Sequence, residues 1–200
     1  MIDINDIDFS TLTPHTHTVN KIAKVYMGTN TCIKIWNDNH LAPHSTLNGL
    51  STRFHGVHTM QMLQVGLITK STCPAFVDTI VDNGRCCGYM MQLGHEAALN
   101  VKLLQYITEL VDHSLNVGFL LCDVSIDNII VTADGYSIID LDQSPISIAE
   151  FGGLTDAERR VWVRLLAGEP TTPSAYNDHV TKFYIRSIMS RLGSWELTQS

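Results

Sequence analysis

The stretch Leu120–Gln143, LLCDVSIDNIIVTADGYSIIDLDQ, restricts the fold more than any other part of the chain. Its NIIVTADGYSIID portion reads as two short apolar strands joined by a turn at Asp134-Gly135, a dipeptide suited to a two-residue hairpin. Five aspartates and an asparagine surround these strands. A carboxylate buried without a partner is costly, so the acids belong at the strand ends. A tight hairpin returns the chain to where it began. Asp123, Asn128 and Asp140 are therefore expected close together. Two carboxylates and an amide oxygen form a hard-oxygen set suited to Mg²⁺ carrying phosphate.

The rest of the chain divides by period. VNKIAKVYM (Val19–Met27) and TCIKIW (Thr31–Trp36) flank a turn at Gly28, and CPAFVDTIVDNGRCCGYMMQL reads as strand, Asp-Asn-Gly turn, strand. HSTLNGLSTRFHGVHTMQMLQVG is a helix candidate weakened by Gly49 and Gly56. After Gly94 the pattern becomes helical. HEAALNVKLLQYITELVDHSL places Leu103, Leu104, Ile107, Leu110 and Val111 on one stripe. LTDAERRVWVRLLAG opens with Thr155 and Glu158 in capping-box spacing and stops at Gly168 and Pro170. SAYNDHVTKFYIRSIMSRLG reads as a last helix capped by Ser174 and closed by Gly193. The expectation is an α+β fold in one domain, 1–200, with a small strand-rich N-terminal lobe to about Leu93, a helical lobe from 94 onward, and a ligand in the cleft between them.

A net charge of −7, with 13 scattered Lys and Arg, argues against a general nucleic-acid binder, which needs a basic stripe for phosphates. The five cysteines include no C-x-x-C pair, so neither a zinc knuckle nor a disulfide framework is indicated. His40 with His44 and His55 with His58 are the nearest approach to a zinc set. A proline separates the first pair, and no cysteine or carboxylate has partner spacing. Cys122 beside Asp123 raises a thiol nucleophile, for which no activating feature is visible. MIDINDIDF lacks the basic and apolar regions of a signal peptide, and no apolar run approaches membrane-spanning length. A cytoplasmic protein without a membrane span is expected. A host's cytoplasm is the counterpart for a secreted effector, and a trimmed signal would leave the secretory pathway open.

The D-x-x-x-x-N pattern of LCDVSIDN, followed by a hairpin and DLD, resembles the catalytic loop and metal-binding motif of the protein-kinase-like superfamily. CIK resembles that family's strand lysine, and GYMMQLGH its strand-to-hinge segment. The resemblance implies a bilobal kinase-like fold with an antiparallel-sheet N-lobe. It implies Asp123 as catalytic base, Asn128 and Asp140 as ligands of Mg²⁺ or Mn²⁺, and Lys34 on the ATP phosphates. Cys32 would line the adenine pocket, and the backbone of Met91 to Leu93 would meet adenine.

Several departures qualify it. TPHTHT stands where a glycine-rich loop belongs, with His15 or His17 as replacement donors. No glutamate precedes Glu96, so Gln61, Gln64 or Asp38 would have to orient Lys34. Leu121-Cys122 replaces His-Arg, and Ser125 replaces the basic residue expected two places after the aspartate. Only 60 residues follow Asp140, which implies a reduced helical lobe, and Asp142 is either an extra ligand or a strand cap. These features resemble the minimal kinases among bacterial effectors and the divergent kinase-domain proteins of the secretory pathway. The wording CDVSIDN…IIDLD is closer to the latter. The expected function is an atypical phosphotransferase acting on a protein or small-molecule hydroxyl. The alternatives are a pseudokinase serving as a binding scaffold and an enzyme that transfers AMP.

Overall fold

The computed structural model describes residues 1–15, 23–36, 46–47, 50–51, 69, 71–140, 146–149, 155 and 178–192. The chain divides into two compact units, Met1–Glu96 with Ile130–Ser144 (unit 1) and Ala97–Ile129 with Pro145–Ser200 (unit 2). In chain order the described strands are β1 (Ile2–Asp3), β2 (Thr13–Pro14), β3 (Ala23–Met27), β4 (Thr31–Trp36), β5 (Thr46–Leu47), β6 (Leu50–Ser51), β7 (Phe76–Asp82), β8 (Arg85–Gln92), β9 (His95–Glu96), β10 (Phe119–Leu120), β11 (Ile129–Thr132), β12 (Gly135–Ile138) and β13 (Ile146–Ser147). The described α-helices are α1 (Val101–Val117) and α2 (His179–Leu192).

Unit 1 is built on a six-stranded sheet of order β1-β7-β8-β4-β3-β2, antiparallel except where β1 runs parallel to β7. The two hairpins anticipated from Gly28 and Asn83-Gly84 form here, the first closed by Gly28 N–H donating to Thr31 C=O at 2.8 Å. Alternation along the strands gives the sheet a buried face carrying Ala23, Trp36, Tyr89 and Met91, with Trp36 and Tyr89 edge to face at 5.5 Å. Ile130 and Ile139, which flank the β11–β12 hairpin, pack onto this face. The hairpin therefore belongs to unit 1 although it follows α1 in the chain.

Polar contacts fix its second strand. Ala75 N–H donates to Ser137 Oγ at 3.1 Å, Ser137 Oγ–H to Cys73 Sγ at 3.3 Å, and the Cys73 thiol to Ile138 C=O at 3.1 Å. Ser137 and Cys73 are both buried, and burial pushes the Cys73 thiol up.

In unit 2, α1 buries Leu103, Ile107, Leu110 and Val111 and packs against α2, whose Val180, Tyr184 and Ile188 are fully buried. Each such side chain contributes about 1.5–3 kcal/mol. Leu104 of the expected stripe is only half-buried. Gly118, at φ +82°, ends α1 in the left-handed conformation and donates its N–H to Leu115 C=O. Gly118 C=O then accepts from Ile148 N–H at 3.0 Å, beside the β10–β13 pair.

The structure corrects several boundaries. The long helix starts at Val101 rather than His95. Asn100 Oδ1 accepts Leu103 N–H at 3.0 Å as its cap, while His95 and Glu96 pair with Val131 and Ile130. Within the helix candidate from His44, Thr46–Leu47 and Leu50–Ser51 are instead an antiparallel pair. The rest of that candidate lies outside the described residues, as does the helix expected after Leu154 apart from Thr155. Ser174 and Gly193 are also outside them. Asp178 caps α2, its Oδ2 accepting Thr181 N–H at 2.9 Å. No helix among the described residues is long and apolar enough to cross a membrane.

Two glycines separate two kinds of constraint. A Cβ at Gly118 would meet nothing within 4 Å, so Gly118→Ala is expected to cost only the left-handed penalty, about 1 kcal/mol. A Cβ at Gly88 would collide with the Lys34 carbonyl oxygen and with Ile35, so Gly88→Ala is expected to cost about 3 kcal/mol by forcing β8 off β4. Urea unfolding of the two variants measures the difference.

Candidate functional site

The candidate residues fall into two groups, one in each unit. In unit 1, alternation along β4 sets Cys32, Lys34 and Trp36 on one face. Lys34 lies opposite Val25 on one side and Tyr89 on the other, at the centre of the sheet. Its side chain is 13% exposed, and Nζ donates to Asp140 Oδ1 in an ion pair spanning 106 residues. Asp140 follows Ile139 directly, so packing of that isoleucine into the Trp36 cluster delivers the carboxylate to the lysine. The Asp140 side chain is itself 45% exposed. Cys32 is half-buried. Burial pushes its thiol up, and the Lys34 ammonium draws it partly back.

Met91 is buried opposite Cys32, and Leu93 is exposed at the strand's end. The main chain there is partly committed. Gln92 N–H donates to Ala75 C=O at 2.7 Å, and Leu93 N–H to Asn30 C=O at 2.9 Å.

In unit 2, Asp123 and Asn128 lie in the loop between β10 and β11. A 3-10 turn over Ile126–Asn128 brings the Asn128 amide back, and its Nδ2 donates to Asp123 C=O at 2.9 Å. That bond uses one of the two amide N–H groups, and the amide oxygen is the atom of this side chain that can ligate a cation. Cys122 is buried, and its thiol is pushed up to about 12, first by burial and then by the neighbouring Asp123 charge. It is a packed thiol rather than a nucleophile.

The two aspartates share a backbone feature that the sequence does not announce. Among the described non-glycine residues, positive φ occurs at Asn83, in the β7–β8 turn, and at Asp123 and Asp140, both at +57°. This conformation costs an L-residue about 1–2 kcal/mol, and such costs gather at sites where geometry matters more than stability.

Sequence reasoning missed three residues that hold the Asp123 loop. Tyr184 Oη accepts Leu121 N–H and donates to Leu121 C=O, both at 3.0 Å. Thr181 Oγ1 lies 3.1 Å from Val124 O, and Asp178 Oδ2 accepts Ile126 N–H at 3.2 Å. Their spacing of three along α2 was the available signal. Burial pushes the Tyr184 phenol up.

Of the other candidates, His15 is described, its N–H donating to Val25 C=O at 2.9 Å. His17, Asp38, His40, His44, His55, His58, Gln61, Gln64 and Asp142 lie outside the described residues. Among the described residues, no three His, Cys, Asp or Glu side chains gather as a metal set.

No protein-family model matches the chain, and no curated protein matches it in sequence. Among solved structures it is similar to WbdD crystallised with the kinase inhibitor LY294002, at 14% identity and a TM-score of 0.37 over 88% of this chain and 45% of that one. It is also similar to the Legionella pneumophila Lpg2603 kinase bound to IP6, at 15% identity and a TM-score of 0.35 over 80% of this chain and 76% of that one. The chain thus spans less than half of the WbdD chain.

Removing either member of the Lys34–Asp140 pair has unequal consequences. Asp140→Ala leaves a largely buried ammonium without its carboxylate and is expected to cost about 2–4 kcal/mol. Lys34→Met puts an apolar chain of similar length beside Trp36 and Tyr89 and is expected to cost less than about 1 kcal/mol. Equal losses for the two variants in chemical denaturation would contradict this account of the pair.

Proposed function

We propose that the chain is an atypical ATP-dependent phosphotransferase of the protein-kinase-like type, acting on a hydroxyl of a protein or small molecule. The observation that carries this reading is the pair of aspartates held at φ +57°, one joined to a strand lysine and the other backed by an asparagine amide. Aspartate tolerates the left-handed conformation better than most residues, so it is the bonds made at both places, to a lysine and to an amide, that add weight to the angle.

Each residue has a role in this reading. Asp123 accepts the proton of the acceptor hydroxyl as its oxygen attacks the terminal phosphorus. Lys34 binds phosphate oxygens, exchanging its bond to Asp140 for bonds to the nucleotide. Asp140 in unit 1 and the amide oxygen of Asn128 in unit 2 would each supply a hard oxygen for Mg²⁺ or Mn²⁺. A bound metal ion would neutralise charge on the phosphates during transfer. Cys32 and Met91, neighbours on the face that carries Lys34, supply the apolar surface for adenine.

A second reading, a scaffold without transfer activity, has one observation in its favour. The Gln92 and Leu93 N–H groups are already donated within unit 1, which leaves fewer backbone donors for a purine at that strand end.

A thermal-shift titration with ATP, with and without Mg²⁺ or Mn²⁺, separates the readings. Ligand at one hundred times its dissociation constant should stabilise the wild type by about 2.7 kcal/mol. Asp140→Ala is expected to lose the metal-dependent part of the shift and all transfer from labelled ATP. Label passing from the γ-position supports phosphoryl transfer, and label passing from the α-position would identify AMP transfer instead. No shift with any nucleotide or metal would overturn the proposal in favour of the scaffold.

A further inference from the structure

The loop that presents Asp123 is short, and its aspartate sits at φ +57°, in the left-handed region that few residues other than glycine, asparagine and aspartate adopt. Both flanks are pinned by one face of α2. Before the aspartate, the Tyr184 hydroxyl takes the N–H and the C=O of Leu121 together, each at 3.0 Å. After it, Thr181 Oγ1 lies 3.1 Å from Val124 O and 2.8 Å from Asp178 Oδ2, and that same carboxylate oxygen accepts Ile126 N–H at 3.2 Å. Tyr184, Thr181, Leu121 and Val124 are all buried.

The chemistry of these contacts is more specific than core packing requires. A phenylalanine would fill the space of the Tyr184 ring and a valine that of Thr181. The hydroxyls are placed where a neighbouring strand would otherwise satisfy the loop's backbone.

We infer that α2 is a splint for the Asp123 loop, with Tyr184 and Thr181 as positioning residues that hold the aspartate backbone at its left-handed angle. The consequence for catalysis rests on the reading of Asp123 as the proton acceptor. The splint itself does not.

The test uses the full chain with Tyr184→Phe and Thr181→Val, which keep side-chain volume, and Thr181→Ser, which restores the hydroxyl. In hydrogen–deuterium exchange, the peptide covering Leu121–Asn128 is expected to exchange about tenfold faster in the Phe and Val variants. Peptides from α1 and the unit 1 sheet should keep the wild-type rate, and Thr181→Ser should return the loop toward it. In transfer from γ-labelled ATP, kcat is expected to fall roughly a hundredfold in Tyr184→Phe with KM for ATP within about twofold, because a displaced aspartate impairs the chemical step and not nucleotide binding.

Loop exchange unchanged in both variants would overturn the splint. Faster exchange spread evenly through α1 and α2 would overturn it too, since that is the mark of general core loosening. A wild-type chain that transfers nothing would sink the phosphotransferase reading alone, and the exchange pattern would still decide the splint.

Discussion

A largely buried ammonium needs a counter-charge, and Lys34 finds one on Asp140, 106 residues along the chain. Much of unit 1 follows from that requirement. Lys34 occupies the central strand, so β3 and β8 must flank it, and Gly88 must lack a side chain for β8 to come close enough. The hairpin that carries Asp140 must then be held against the same face. Ile130 and Ile139 do this with apolar area, while Cys73 and Ser137 do it with hydrogen bonds in a dry environment. The ion pair sits at the end of this arrangement. It needs the packing to form, and without it the packing would enclose an ammonium that had lost this carboxylate.

The elements legible in the sequence are those whose signal is local. Asn83-Gly84, Gly28 and Asp134-Gly135 each mark a reversal within a few residues. The i, i+3, i+4 stripe of α1 reports its buried face through Leu103, Ile107, Leu110 and Val111. The Asp123–Asn128 contact is local in the same way, since one short loop carries both residues. What was not legible depends on distant partners. His95 and Glu96 look like the start of a helix because nothing nearby shows that Val131 and Ile130 will pair with them. The cap of α2 is hard to place from sequence, because Asp178 is selected by the Thr181 N–H that its carboxylate accepts. Tyr184 reads as one more apolar position in a helix, since the atoms its hydroxyl meets lie 63 residues earlier.

The two strained aspartates are supported in different ways. Asp140 is tied through its side chain, to a cation, so its charge takes part in holding the unit together. Asp123 lies in a loop whose bonds to α2 and to Asn128 run to main-chain atoms of Leu121, Asp123, Val124 and Ile126. In that loop, these bonds support the backbone. On the proposed reading, Asp140 would exchange its partner for bound ligand, while Asp123 would keep a fixed direction toward a hydroxyl.

On the proposed reading, Leu121-Cys122 in place of His-Arg has a physical sense. Leu121 is 1% exposed, and Cys122 is buried with its thiol held protonated. An arginine at the position of Cys122 would have to be paired or brought to the surface, and either would pull the loop away from Tyr184. The sequence gives up that charge and holds the loop from within, through a phenol, a hydroxyl and a capping carboxylate on one helix face. On the proposed reading, the geometry at Asp123 is produced by the folding of unit 2 itself, and a phosphorylated segment has no basic residue at that position to engage.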